Sequence, residues 1–100
     1  FPDGMIATPD GRSVIIAMYN PHERPFGEAR QYELESGELE AVWRTPLSPQ
    51  VTCPQLVEWD GSLKLILTTA VEHMPAERRS SSPNAGAIFI ADTPWSEPRV

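Results

Sequence analysis

The chain has 100 residues, 40% of them hydrophobic and 22% charged, and a formal net charge of −6. That length holds one small domain with a thin margin of stability, and that composition excludes wholesale disorder despite 11 prolines. The negative charge, with no Lys/Arg cluster to offset it, removes the attraction to phosphate on which nucleic-acid and anionic-membrane binders depend, so neither partner is expected. The longest apolar run, Val14 to Tyr19, is strand-sized and far short of the roughly 20 residues that span a bilayer. The single cysteine, Cys53, excludes an internal disulfide and has no His or second Cys at a metal-ligand spacing, which points to a reducing, cytoplasmic compartment. Phe1-Pro2-Asp3-Gly4 has neither the basic region nor the apolar stretch of a signal peptide and reads as the interior of a longer chain.

Strand signals follow one another along the chain. Met5-Ile6-Ala7 and Ser13 to Tyr19 flank Thr8-Pro9-Asp10-Gly11, where Gly supplies the positive φ of a hairpin turn. Ala29 to Leu34 and Leu39 to Arg44 alternate imperfectly around Glu35-Ser36-Gly37, a second hairpin of more polar, outer-strand character. Gln55 to Glu58 and Leu63 to Thr69 flank Asp60-Gly61 as a third hairpin. A polar connection, Glu72 to Gly86, then leads to Ala87-Ile88-Phe89-Ile90-Ala91. Pro94 and Pro98 remove ladder donors from the tail, so no eighth strand is expected there.

Residues 1–20 laid over 51–70 place Asp10-Gly11 on Asp60-Gly61, Ile6 on Leu56, Ile15 on Leu65 and Ala17 on Leu67 without a gap. A repeat of about 50 residues made of short strands has the size of one four-stranded propeller blade. The pattern therefore predicts an all-β chain of two consecutive blades, one four-stranded (about 1–46) and one incomplete (about 51–93), with a tail at 94–100. The missing strand is what a ring closed by the other end of the chain would leave. Two blades alone expose apolar sheet faces, which the rest of the propeller or self-association must cover. Three copies could close a ring by symmetry, but the missing strand favours a portion of a longer chain. A self-contained sandwich of seven short strands satisfies the same strand count.

Phe1-Pro2-Asp3-Gly4-Met5, then Asp10-Gly11, Ala17-Met18-Tyr19-Asn20, Val51-Thr52-Cys53-Pro54, Thr68-Thr69-Ala70 and Ala85-Gly86-Ala87-Ile88-Phe89 together resemble, in order, the C-terminal portion of the senescence-marker-protein/gluconolactonase/regucalcin family. The resemblance implies a six-bladed propeller that hydrolyses sugar lactones around one divalent metal, calcium or zinc, held in the central channel by a Glu, an Asn and an Asp. The Asp maps to Asp3, which the resemblance makes both metal ligand and catalytic acid/base. The Glu and Asn belong to parts of the family fold that precede Phe1, so the 100 residues alone are expected to be inactive. A turn carboxylate bonding nearby amides is the competing account of Asp3, and a non-catalytic calcium-binding or scaffolding propeller is the competing account of the protein.

The remaining chemistry-bearing residues read as structural. Asp10 and Asp60 are assigned to hairpin tips. Cys53 has no activating His in the sequence around it and is assigned to a loop as a small buried hydrophobe. His22 and His73 are read as solvated surface. Glu33, Glu35, Glu38 and Glu40 flank the second hairpin as a charged outer edge. The connection from Glu72 to Asn84, with Arg78 and Arg79, is long enough to lie over one end of the channel.

Overall fold

The computed structural model describes residues 1–96, and among these the chain is almost wholly β. The strands are β1 (Pro2–Ala7), β2 (Ser13–Met18), β3 (Phe26–Glu33), β4 (Leu39–Pro46), β5 (Val51–Trp59), β6 (Ser62–Thr69) and β7 (Ile88–Ser96), with a six-residue helix α1 (Ala76–Ser81) between β6 and β7. They form two antiparallel sheets of consecutive neighbours, β1-β2-β3-β4 and β5-β6-β7. The first is a complete propeller blade and the second a blade of three strands.

The sequence repeat is also a repeat of register. Ile6 pairs with Ile15 and Met5 with Ile16 in the first sheet, and 50 residues later Leu56 pairs with Leu65 and Gln55 with Ile66. Both inner strands carry a bulge near their start, between Pro2 and Met5 in β1 and between Val51 and Cys53 in β5. The hairpin tips differ for a local reason. Trp59 pairs with Ser62, leaving Asp60-Gly61 as a two-residue turn with both φ angles positive, at 52° and 77°. In the first copy Pro9 stands where Trp59 stands in the second and has no N–H to offer, so the ladder stops at Thr8 and Ser13. The Thr8 hydroxyl there donates to the Asp10 carboxylate at 2.7 Å, and the Arg12 amide donates to the same oxygen at 2.9 Å. These bonds hold the Asp10 carboxyl below the usual carboxylate range.

The core lies where the two sheets face each other. Ile15, Ala17, Ala29, Val51, Leu65 and Leu67 are fully buried, with Ile6, Trp43, Leu56, Phe89, Ala91 and Trp95 packed around them. Cross-strand rows explain the selection. Ala17, Ala29 and Trp43 form one row, so two small side chains lie beside one large one, and Leu56, Leu65 and Ala91 form its neighbour across the core. The Trp43 indole N–H donates to the Asp92 carbonyl at 3.0 Å, tying the outer strand of one sheet to β7 of the other.

The outward faces are apolar and open, as the repeat predicts for blades without neighbours. Met5, Ile16, Arg30 and Val42 form one outward row of the first sheet, in which Met5 is 60% and Val42 41% exposed. Gln55, Ile66 and Ile90 form an outward row of the second, in which Ile90 is 56% exposed. The last strand runs further than the sequence predicts, through Pro94 to Ser96. Pro94 is accommodated because β7 is an edge strand whose pairing with β6 is irregular between Asp92 and Ser96. Pro98 lies outside the described residues.

Two glycines set how closely the sheets approach. A Cβ on Gly4 would lie 2.8 Å from the Thr52 carbonyl oxygen and 2.9 Å from Cys53 Sγ, so β1 and β5 sit side by side only because position 4 has no side chain. A Cβ on Gly27 would lie 2.6 Å from Val51 Cγ2 and collide with the Ser48 carbonyl. Gly27→Ala is expected to cost about 3 kcal/mol through overpacking against backbone that cannot yield. Gly11→Ala, where nothing crowds the new methyl, is expected to cost only about 1–2 kcal/mol for a left-handed φ. Urea denaturation of the two variants measures both values.

Candidate functional site

The antiparallel topology sorts the connections by length. Tight turns at Asp10-Gly11, Gly37 and Asp60-Gly61 occupy one end of the molecule. The other end carries the start of β1, the β2–β3 loop (19–25), the β4–β5 connection (47–50) and the β6–β7 connection (70–87). Asp3 lies at this second end, on the bulge of β1, with its side chain exposed.

Tyr19 follows β2 and is fixed through its backbone. Its amide donates to the Phe1 carbonyl at 2.7 Å, the Phe1 nitrogen donates back to the Tyr19 carbonyl at 2.8 Å, and Tyr19 forms an antiparallel bridge with Gln50. Gln50 is itself buried, and its side-chain amide donates to the carbonyls of Ala70 and Glu72, both at 3.1 Å. Gln50 thereby holds the exit of β6 through its side chain and the exit of β2 through its backbone, and so places Glu72 near Tyr19. A turn follows, closed by the Met74 amide on the Val71 carbonyl at 3.0 Å, with His73 at φ 57°.

The rest of the long connection folds back over the first sheet. The Arg78 guanidinium, on α1, donates to the Pro21 carbonyl at 2.6 Å, and Asn84 donates its amide to Leu47 and its side chain to the Pro46 carbonyl. The helix has only six residues, too few to show a period, which is why the sequence reads as plain connection there. This end of the molecule is thus strapped across both sheets.

Phe1, Pro2, Asp3, Tyr19, Glu72 and His73 line a shallow depression of about 330 Å³ at this end. Glu72 and His73 approach to 3.2 Å, but both are exposed and the pair contributes little. Burial, and then the negative charges of Glu72 and Asp3, push the Tyr19 phenol above its ordinary value, against an opposing pull from Arg78. Its hydroxyl has no hydrogen-bond partner among the described residues. Among the described residues no three His, Cys, Asp or Glu side chains come together as a metal cluster. Asp3 offers one hard oxygen ligand, against the six to eight oxygens usual for calcium. A calcium ion at Asp3 would need its other oxygen ligands from outside the described residues.

Other candidates sort as follows. Asp10 and Asp60 are at hairpin tips, and His22 and His73 are exposed, as the sequence predicts. The acidic group flanks the β3–β4 turn, and Glu40 accepts hydrogen bonds from Ser13 and Gln31 that hold its carboxyl below the usual range. Cys53 differs from its assignment: it is exposed and lies on β5, where the bulge turns its sulfur toward the outer surface beside Gly4. Gln50, Glu72 and Arg78 carry no motif and went unmarked as site residues. Tyr19 lies in the Ala17-Met18-Tyr19-Asn20 stretch that carries part of the resemblance, and the sequence assigns it no role.

No protein-family profile and no curated protein matches this sequence. A solved structure does: a calcium-binding protein, regucalcin, from Agrobacterium tumefaciens strain C58, is similar with a TM-score of 0.75 and 23% identity. The match covers 98% of this chain and 30% of that one, about the share of two blades in a six-bladed ring. The likeness establishes the fold. No helix among the described residues is long and apolar enough to cross a membrane.

Because the folded state raises the Tyr19 pKa, its contribution to stability is present below about pH 10 and is lost as pH rises through the folded-state value. With Tyr32 replaced by Phe, absorbance titration is expected to find Tyr19 ionising above pH 10. Glu72→Gln should lower that midpoint, Asp3→Asn should lower it less, and Arg78→Ala should raise it.

Proposed function

We propose that the chain is the C-terminal portion of a metal-dependent sugar lactone hydrolase of the gluconolactonase type, with Asp3 as metal ligand and acid/base. The observation that carries this reading is the position of Asp3. Its carboxylate stands exposed on the bulge of an inner strand, in a depression at the end where the long connections converge, within a fold shared with a calcium-binding protein. The remaining ligands, and the sheets that cover the outward rows of Met5 and Ile90, come from the rest of the propeller.

A divalent cation, calcium or zinc, when bound at this end would polarise the lactone carbonyl and neutralise charge that develops on its oxygen. Asp3 accepts a proton from the attacking water as the water oxygen bonds to the carbonyl carbon. The ring C–O bond then breaks, and the proton held on Asp3 passes to the departing ring oxygen, which becomes the new hydroxyl of the open-chain acid. The wide mouth of the depression suits a polyhydroxylated, solvated substrate better than an apolar one.

A non-catalytic calcium-binding propeller is the second reading, favoured by the likeness in fold to a calcium-binding protein. The two separate on turnover. In the intact protein Asp3→Ala is expected to lower kcat on a small sugar lactone by about a hundredfold to ten-thousandfold with an unchanged melting curve, and chelation of the metal should abolish turnover. Undiminished hydrolysis by Asp3→Ala refutes the assigned role, and calcium binding without turnover by the unaltered protein selects the second reading.

A further inference from the structure

Tyr19 shares the depression with Asp3, and every constraint on it acts through the backbone. The paired bonds with Phe1 and the bridge to Gln50 set where its ring stands, while its hydroxyl is left without a partner among the described residues. A half-buried phenol that lines an open depression together with a carboxylate, and has no hydrogen-bond partner among the described residues, is a donor without an acceptor. A phenol keeps its proton at neutral pH, so Tyr19 presents an O–H donor to the depression. A donor and an anionic acceptor side by side in the lining of one open depression match a ligand that carries adjacent hydroxyl groups, which both give and take hydrogen bonds.

We propose that Tyr19 is a ligand-binding residue of this site, donating its phenolic O–H to a hydroxyl or carboxylate oxygen of a sugar acid or its lactone held against Asp3. The identity of the ligand class rests on the lactonase reading given above; the donor role rests on the geometry of Tyr19. Asp3 and Tyr19 reach the depression from neighbouring strands of one sheet, joined by the Pro2–Met18 pairing and the Phe1–Tyr19 bonds, so their spacing is set by the ladder and not by a mobile loop. Glu72 and His73 enter from the second sheet and close the opposite side.

The test is calorimetric titration of the intact protein with gluconate at saturating calcium, comparing the unaltered protein with Tyr19→Phe, which keeps the ring and its packing. Loss of one hydrogen bond is expected to weaken gluconate about fivefold to tenfold while calcium affinity and melting temperature stay the same. Equal gluconate affinity in the two proteins overturns the proposal, as does a complete lack of gluconate binding by the unaltered protein. Lactone turnover, followed in parallel, reports separately on the enzymatic reading: a Tyr19-dependent gluconate affinity in a protein that does not hydrolyse lactones upholds the donor role and refutes the activity.

Discussion

The close approach of β1 and β5 is the constraint from which the rest of the molecule follows. Two inner strands can lie side by side only if one of them presents no side chain at the point of contact, and Gly4 against the Thr52 carbonyl and Cys53 meets that condition. Once the strands are in place, the inward rows of the two sheets face each other at core distance. Ile15, Ala17 and Ala29 of the first sheet and Val51, Leu65 and Leu67 of the second then form one buried cluster. Fully burying side chains of this size contributes about 1.5–3 kcal/mol each, so the shared core is the main favourable term, and it exists only between the sheets and not within either.

The same geometry makes the molecule incomplete on its outward sides. A sheet in a propeller has a neighbour on each face, and here each sheet has one. Met5, Val42, Ile88 and Ile90 remain exposed for that reason, in rows whose period matches the buried ones. The charged groups set into these faces, Glu28 with Arg30 and Lys64 with Asp92, pair with each other along or across the strands and lower the cost of that exposure.

Chemistry gathers at one end because antiparallel pairing sends every second connection there. The tight-turn end has short loops, each with a glycine of positive φ. The opposite end has the long connections, and Gln50 organises them, its side chain donating to two carbonyls at the exit of β6 and its backbone bridging to Tyr19 at the exit of β2. A buried glutamine whose amide is satisfied on both sides is a rigid support, and the placement of Glu72 beside Tyr19 depends on it.

The sequence by itself determined the strands, the hairpins and their 50-residue repeat, because period-2 alternation and Asp-Gly turns are local signals that each segment carries alone. It also marked Asp3, though only through resemblance, since a carboxylate before a glycine says nothing locally about its surroundings. Where local chemistry was ambiguous the reading stopped short. Pro94 argued against a strand that an edge position tolerates, Cys53 looked like a buried loop residue when the β5 bulge exposes it, and α1 was too short to have a period. Only the tertiary structure decided that Tyr19, Gln50, Glu72 and Arg78 lie at the same end as Asp3. Those residues are up to 75 positions apart in the chain: the β1–β2 ladder brings Tyr19 to Asp3, and the packing of the second sheet and its long connection on the first brings Glu72 and Arg78.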